Sequence, residues 1–196
     1  MTTSLLVARC TVEAAVYAVE RWHYSGALPS QALVRFGAWE DDRFIGAVVF
    51  GTGWNRHMLR PFGLEPTEGA ELVRVALRAH VAQVSQVVGR AVRLLRTANP
   101  DLRLLISYAD PAHGHHGGIY QAMNWIYLGR TSEASAYLGA DERLRHQRTW
   151  SDAPEAVRRA GHLRFALPGK HRYVLPLDRA MRRRVAPLAR PYPRPR

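Results

Sequence analysis

The chain has 196 residues, of which 47% are hydrophobic, so it can bury the core of one domain, and two full domains are not expected. Its single cysteine excludes an internal disulfide and a zinc site of several thiolates, and the lack of a cationic leader or an ~18-residue apolar run predicts a cytosolic protein with no membrane partner. With 28 basic and 16 acidic residues, the formal net charge of +12 predicts a polyanionic partner such as nucleic acid.

The N-terminal part of the sequence predicts a strand, a helix and a hairpin. A strand is predicted over residues 4–10, and helical spacing over residues 12–21 follows Thr11, which is a suitable N-cap. Residues 31–39 and 43–50 are apolar and β-branched runs joined by a short acidic turn, which favours an antiparallel hairpin.

Strands and helices continue to alternate in the middle of the chain. A strand is predicted over residues 71–77, and helical spacing of apolar residues extends over 84–95. Residues 102–109 form the next predicted strand, which leads into a loop rich in glycine and histidine. A short helix over 119–124 and a strand over 125–128 follow. This alternation predicts a mixed α/β fold rather than a helical bundle.

The one clear break in composition lies near the C-terminus. Residues 179–196 are rich in arginine and proline, and the prolines preclude a continuing helix, so an extended basic tail after a short helix is expected. Such a tail is suited to gripping phosphates, and a solvated run of charge is the alternative. The sequence therefore predicts one domain over residues 1–178 and a basic tail over residues 179–196.

The order of the predicted elements resembles that of the GNAT acyltransferase fold, in which helices flank a central mixed, mostly antiparallel sheet. Such enzymes bind the pyrophosphate of their donor with an R/Q-x-x-G-x-G/A turn that opens the helix after the fourth strand. Gln86, Gly89, Arg90 and Ala91 fit that spacing, and a glycine there lets backbone amides approach phosphate oxygens. A glycine that packs inside a helix fits the same residues, so both interpretations stay open.

The segment from Ser107 to residue 129 is the strongest candidate for a reactive site. Its strand ends in Ser-Tyr-Ala-Asp and feeds a glycine-rich loop and a helix, the position at which α/β folds place ligands. Asp110 could accept a proton, and Tyr120 on the following helix could return one to a leaving group. A turn or N-cap aspartate and an ordinary interfacial tyrosine are the structural alternatives.

Three histidines in the same loop raise the question of a metal site. His113, His115 and His116 lie in a glycine-rich turn, and no second histidine cluster accompanies them. Contacts to phosphate or to the backbone explain such histidines as well, and we favour them over a metal site.

A second candidate segment is the Trp-His-Tyr-Ser run that ends the first predicted helix. It is too polar for a core and too aromatic for a plain linker, so it could stack on a base, with His23 as a proton acceptor or ligand and Tyr24 beside it. A histidine favoured by the dipole at a helix C-terminus is the alternative for His23.

A late basic and aromatic segment is the predicted phosphate contact. Lys170 and Arg172 lie on a predicted strand that continues into Arg182, Arg183 and Arg184, and we interpret this as an edge that grips phosphates. Alternation over residues 171–177 equally suits an edge strand with one solvated face.

Together these segments resemble the phage Mom family of adenine modification proteins. The resemblance lies in WHYSG-LP, ELVRVAL, SYADP-x-x-G-H-x-G-x-IYQAMNWIYLG and GKHRYVLPLDRAMRR, which span nearly the whole chain. It implies a GNAT-like transferase that attaches a small glycinamide-type (carbamoylmethyl) group to N6 of adenine in phage DNA, which protects the DNA from restriction. The site it implies draws on the following residues: His23, Tyr24, Ser107, Asp110 and Tyr120. Candidates for stacking on an extruded base are Trp22, Tyr24, Trp54, Tyr108 and Trp125.

The resemblance leaves the donor and the partners partly open. The donor is either an acyl-CoA or a glycyl-tRNA, an iron requirement has been suggested for the family, and double-stranded DNA is the expected acceptor in the cytoplasm of the host cell. Whether the chain forms a homodimer is not determined. The alternatives are a GNAT N-acyltransferase that acts on a protein or small amine, and a non-catalytic phage DNA-binding protein.

Overall fold

A central seven-stranded sheet organises the chain, whose residues 4–31, 33–53 and 57–194 are described by this computed structural model. The strand order is β1-β2-β3-β4-β5-β10-β6, and every neighbouring pair is antiparallel except β4 and β5. Its strands are β1 (Leu5–Arg9), β2 (Leu33–Glu40), β3 (Arg43–Gly51), β4 (Gly69–Leu77), β5 (Leu104–Ala109), β6 (Ile126–Arg130) and β10 (His171–Pro176).

Helices cover both faces of this sheet. On one face, α2 and α3 bury their apolar residues against the largest core cluster. On the other face, α1 and α6 pack on two smaller clusters. The helices that flank the sheet are α1 (Val12–Trp22), α2 (Val84–Ala98), α3 (Gly118–Ala122) and α6 (Arg179–Val185). The fold is therefore a mixed α/β fold with a mostly antiparallel sheet, as predicted.

Local sequence signals account for the N-terminal elements. The Thr11 hydroxyl accepts a hydrogen bond from the Ala14 amide at 3.2 Å, so the predicted N-cap of α1 is confirmed. The turn between β2 and β3 places Asp41 and Asp42 at φ values of 45° and 64°. Aspartate tolerates this region, which tight hairpin turns require, so the predicted hairpin forms.

A small sheet is inserted between β6 and β10, in a region for which the sequence predicted no element. Its strands run in the order β8-β7-β9 and all pair antiparallel. The inserted elements are β7 (Ala134–Gly139), β8 (Leu144–His146), α4 (Gln147–Trp150), α5 (Glu155–Arg159) and β9 (His162–Leu167). None of the helices within the described residues is long and apolar enough to span a bilayer.

Two predictions about the C-terminal part need correction. The strand predicted over residues 171–177 is not an edge, because β10 pairs with β5 on one side and β6 on the other. The expected short helix forms as α6, but it buries Met181 and Val185 in the core, and the segment after it is held where the Arg190 amide donates to the Tyr127 carbonyl at 2.8 Å. The packed domain therefore continues beyond the boundary predicted at residue 178.

Candidate active site

The main cavity lies where β4 and β5 separate. Within these two strands, parallel pairing is limited to their first three residues and ends at Glu71 and Ile106. A bulge follows, because Arg74 pairs with Val49 while Leu72 pairs with the next residue of β3, which leaves Val73 as an extra residue. The bulge bends β4 away from β5, and a cavity of about 510 Å³ occupies the gap.

This cavity reaches both faces of the sheet. Leu72, Val84 and Ile119 line it and belong to the core beneath α2 and α3. Trp22 and Val73 also line it, yet they pack with α1 on the opposite face. Two reactants could therefore enter from opposite faces and meet at the gap between the strands.

Ser107 and Tyr120 lie at the point where the strands part. The Ser107 hydroxyl donates to the Leu72 carbonyl of β4 at 2.7 Å, which bridges the two strands. This bond uses the only proton of the Ser107 hydroxyl. The Tyr120 hydroxyl therefore donates to Ser107 Oγ, at 2.8 Å. Burial raises the pKa of Tyr120 to about 12, so its phenol stays protonated at neutral pH. Both groups are buried, and Tyr120 lines the cavity.

Asp110 shapes the loop that follows β5. Its carboxylate caps a 3-10 turn by accepting from the Ala112 amide at 3.0 Å, and it forms a 2.9 Å ion pair with the Lys170 ammonium. Burial of Asp110 acts to raise its pKa, but the hydrogen bond and charge of Lys170 outweigh it, so the pKa lies below the ordinary value. A carboxylate stabilised in this way is a weak proton acceptor.

Gly117 fixes the end of the same loop at the start of α3. Its φ is +88°, and a Cβ there would lie 2.3 Å from the ring of Tyr173. The Tyr173 hydroxyl donates to the His116 carbonyl at 2.5 Å, which anchors the loop to β10. Only glycine meets both requirements.

The Trp-His-Tyr-Ser segment lies against this loop. The Tyr24 ring stacks on His23 with centroids 4.4 Å apart, and His113 and His115 lie 4.1 Å and 5.4 Å from the same ring. His23, Tyr24 and Asp110 all line the cavity, so the structure brings the two predicted segments together. Because the imidazoles of His113 and His115 contact the Tyr24 ring, this side chain holds the Trp-His-Tyr-Ser segment against the loop after β5.

Ser25 controls the protonation of His23. Its amide donates to His23 Nδ1 at 3.1 Å, which favours a proton on Nε2. Its hydroxyl lies 2.8 Å from the same nitrogen and 3.3 Å from the Ala27 carbonyl, so in the other tautomer it can accept a hydrogen bond from Nδ1–H while it donates one to the carbonyl. Burial, then the charges of Arg74, His115 and His113, lower the pKa of His23 to about 4. The imidazole is neutral at pH 7 and can accept a proton.

The sequence analysis missed Arg74. This side chain lines the cavity and donates to the carbonyls of Val73 at 2.7 Å and Ala27 at 3.2 Å, so it ties the bulge to the Trp-His-Tyr-Ser segment. Burial lowers its pKa, and the nearby Tyr24 and Glu71 counteract this. A cation inside a mostly apolar strand, whose one other charged residue is Glu71, was the available signal.

Comparisons with known proteins agree with this architecture. The model of the Mom protein family matches residues 4–194. The chain belongs to this family. The methylcarbamoylase mom of Escherichia phage Mu is 23% identical over 178 residues, which cover 85% of this chain and 73% of that protein.

Solved acetyltransferases share the fold. The aminoglycoside acetyltransferase AAC(6')-Ib in complex with coenzyme A is 12% identical, with a TM-score of 0.54 over 93% of this chain and 99% of that one. FeeM, an N-acyl amino acid synthase from uncultured soil microbes, is also 12% identical, with a TM-score of 0.52 over 95% and 97%. The chain spans 49% of a tandem GNAT protein from the clavulanic acid biosynthesis pathway, with a TM-score of 0.43. The GNAT-like fold expected from the element order is thus confirmed.

The predicted turn that would bind the donor pyrophosphate does not form in this protein. Gln86, Gly89, Arg90 and Ala91 lie inside α2, which begins at Val84, so they form helix rather than a turn. The Ala91 side chain is fully buried, whereas the other three residues line a shallow second depression beside α3.

The loop before α2 is occupied by a carboxylate of the chain itself. The amides of Val81 and Ala82 donate to the buried carboxylate of Glu40 at 3.0 Å and 2.5 Å. These bonds hold the pKa of Glu40 below its ordinary value. Two of the amides that precede α2 are therefore occupied by a carboxylate of the chain and are not open to a diphosphate.

Metal ligands are not grouped in the part of the chain that the structure describes. No cluster of three or more histidine, cysteine, aspartate or glutamate side chains is positioned to hold an ion there. His113 and His115 instead contact Tyr24.

The predicted phosphate contacts are dispersed. Lys170 pairs with Asp110, and Arg172 lies on the interior strand β10. Arg184 donates to the Phe62 carbonyl at 2.7 Å, while Arg182 and Arg183 are exposed.

The candidates for stacking on a base are also distributed unevenly. Trp125 is fully buried and cannot meet a base, whereas Trp22, Tyr24 and Tyr108 line the cavity. Trp54 lies outside the described residues.

Proposed function

We propose that this protein transfers a small acyl or glycinamide-type (carbamoylmethyl) group to N6 of adenine in double-stranded phage DNA, which shields the DNA from restriction. The observation that carries the proposal is the cavity through the sheet, at which the Trp-His-Tyr-Ser segment and the loop after β5 meet around Tyr120. Membership of the Mom family and the name of the phage Mu relative support it.

The adenine enters from the α1 face, where aromatic and cationic side chains line the cavity. N6 is conjugated with the ring and poorly nucleophilic, so the enzyme must orient the amine, remove its proton and stabilise developing charge. The base must also leave the helical stack, which costs a few kcal/mol, and Trp22 and Tyr108 are the aromatic side chains placed to receive it.

His23 and Tyr120 divide the proton transfers. His23 Nε2 accepts the amine proton in the tautomer that carries its proton on Nδ1, which gives up the hydrogen bond from the Ser25 amide and donates to Ser25 Oγ instead. Tyr120 donates its proton to the leaving group when its hydroxyl turns away from Ser107 Oγ, since burial keeps its phenol protonated. Asp110 positions the loop, because its carboxylate is already held by the Lys170 ammonium and the Ala112 amide.

The donor that suits this site is an aminoacyl ester such as glycyl-tRNA. Attack of N6 on its carbonyl breaks the ester C–O bond, the tRNA hydroxyl leaves with the proton from Tyr120, and the direct product is N6-glycyladenine, an isomer of the carbamoylmethyl derivative. Glu40 already accepts the amides before α2, so an acyl-CoA would lack the diphosphate contacts expected there. An aminoacyl ester has no diphosphate that requires them. The donor would approach from the α2 and α3 face of the gap.

Nucleoside mass spectrometry of plasmid DNA from cells that express the protein tests the function. The wild-type protein should give deoxyadenosine with an added mass, and Tyr120→Phe and His23→Ala should reduce the modified fraction at least about 100-fold, the usual scale for loss of an acid or base. Tyr17→Phe, at an exposed tyrosine of α1, is the control and should modify fully. Unmodified nucleosides with the wild-type protein, or full modification by both site variants, would contradict the proposal.

A further inference from the structure

The chain enters and leaves the inserted sheet at the rim of the cavity. The Thr131 amide donates to the Lys170 carbonyl, and the Lys170 amide donates to Thr131 Oγ1, both at 2.9 Å. Lys170 is also the partner of Asp110, which lines the cavity. Gly169 lies so close to Thr131 that a Cβ would be 1.9 Å from its carbonyl oxygen. These contacts hold both ends of the insertion beside the cavity.

Strand β9 is the exposed outer strand of this insertion. Among the described strands it pairs with β7 alone, so its other edge faces solvent. Leu163 and Phe165 are 64% and 43% exposed, and their pairing partners on β7 are two residues apart, so both side chains lie on one face. Exposed large apolar side chains side by side indicate a contact surface.

The charge of this region favours a polyanion as the partner. No acidic residue lies between Glu155 and Asp178, whereas the same stretch contains several cations. Arg164 projects from β9 on the face opposite Phe165, is exposed, and hydrogen-bonds Ser135 rather than an acidic side chain of the described chain. Pairing of two β9 strands from separate copies would bring these cations together, which disfavours a second copy as the occupant.

We propose that the free edge of β9 faces the DNA duplex beside the cavity, so that Arg164 on one side of the strand reaches the phosphate backbone, while Leu163 and Phe165 on the other side form an apolar wedge in the minor groove next to the extruded base. Arginine on phosphates and apolar wedges between base steps are a known way to kink and unstack a duplex. This assignment rests on the proposed function. It places the DNA contact on the insertion rather than on Lys170, Arg172 and the α6 arginines.

A duplex of mixed sequence in which 2-aminopurine replaces adenine tests the wedge without a donor. The wild-type protein should raise the 2-aminopurine fluorescence as bases unstack. Leu163→Ser/Phe165→Ser should bind within about 3-fold of wild type by anisotropy but lose most of the rise in fluorescence. Leu188→Ser, at an exposed leucine near the C-terminus, is the control and should behave as wild type. A rise in 2-aminopurine fluorescence with the double variant equal to that with the wild-type protein would overturn the proposed wedge.

The salt dependence of binding to the same duplex tests the phosphate contact. Arg164→Gln should reduce the log–log slope by about 0.9, the loss of one phosphate contact, and weaken binding severalfold. Arg43→Gln, at the exposed β2–β3 hairpin, should leave the slope unchanged. An unchanged slope for Arg164→Gln, or a wild-type dimer that the Leu163 and Phe165 changes dissociate, overturns the proposal. If the wild-type protein and the double variant give equal amounts of modified deoxyadenosine, the wedge alone is contradicted. If neither protein gives modified deoxyadenosine, the proposed function is contradicted.

Discussion

Replacement of Gly117 by alanine tests how tightly the reactive loop is held. Its φ of +88° costs an L-residue about 1–2 kcal/mol, partly offset by about 0.4–1 kcal/mol because alanine restricts the unfolded chain. The new Cβ would also lie 2.3 Å from the Tyr173 ring. That ring is fully buried between Tyr120 and Tyr127, at centroid distances of 5.0 Å and 5.1 Å, so it cannot move aside freely. Overpacking of this kind costs about 1–3 kcal/mol.

The sum predicts that Gly117→Ala lowers the free energy of unfolding by about 1–5 kcal/mol, or the Tm by roughly 2–20 °C for a chain of this size. Gly114→Ala is the matched control, because its φ is +72° but a Cβ there meets no described heavy atom within 4 Å. The control should lose less than about 1.5 kcal/mol. Calorimetry of both variants decides the matter, and Tm values within about 2 °C of each other would refute the reasoning.

Two further predictions concern the half-buried His23 and the carboxylate of Glu40. Because burial lowers the pKa of His23 to about 4, the unfolded chain binds a proton below about pH 6.5 that the folded protein does not, so stability falls between about pH 6.5 and pH 4. His23→Gln should therefore show a smaller loss of Tm than wild type between pH 7 and pH 5, and an equal loss would contradict the assignment. Glu40→Ala should lower the Tm and free the amides of Val81 and Ala82, so inorganic pyrophosphate should raise its Tm more than that of the wild-type protein. Equal shifts in a thermal melt would mean that Glu40 does not close an anion site.

Local signals predicted most of the main sheet. The N-cap at Thr11 and the hairpin at Asp41 and Asp42 depend on neighbouring residues alone, and both formed as expected. The inserted sheet escaped prediction, since its strands are short and β9 is exposed on both faces, which removes the alternation that identifies a strand.

The sequence by itself determined the element order, the net charge and the two segments that approach one another, because patterning and loop chemistry are written in neighbouring residues. The tertiary structure alone decided which charges are free to act. Glu40 accepts amides about forty residues away in the loop before α2, and Lys170 reaches back to Asp110. The bulge at Val73, which opens the cavity, likewise depends on register with a neighbouring strand. Such partners are set by strand pairing across the sheet, which residue spacing within a segment does not encode.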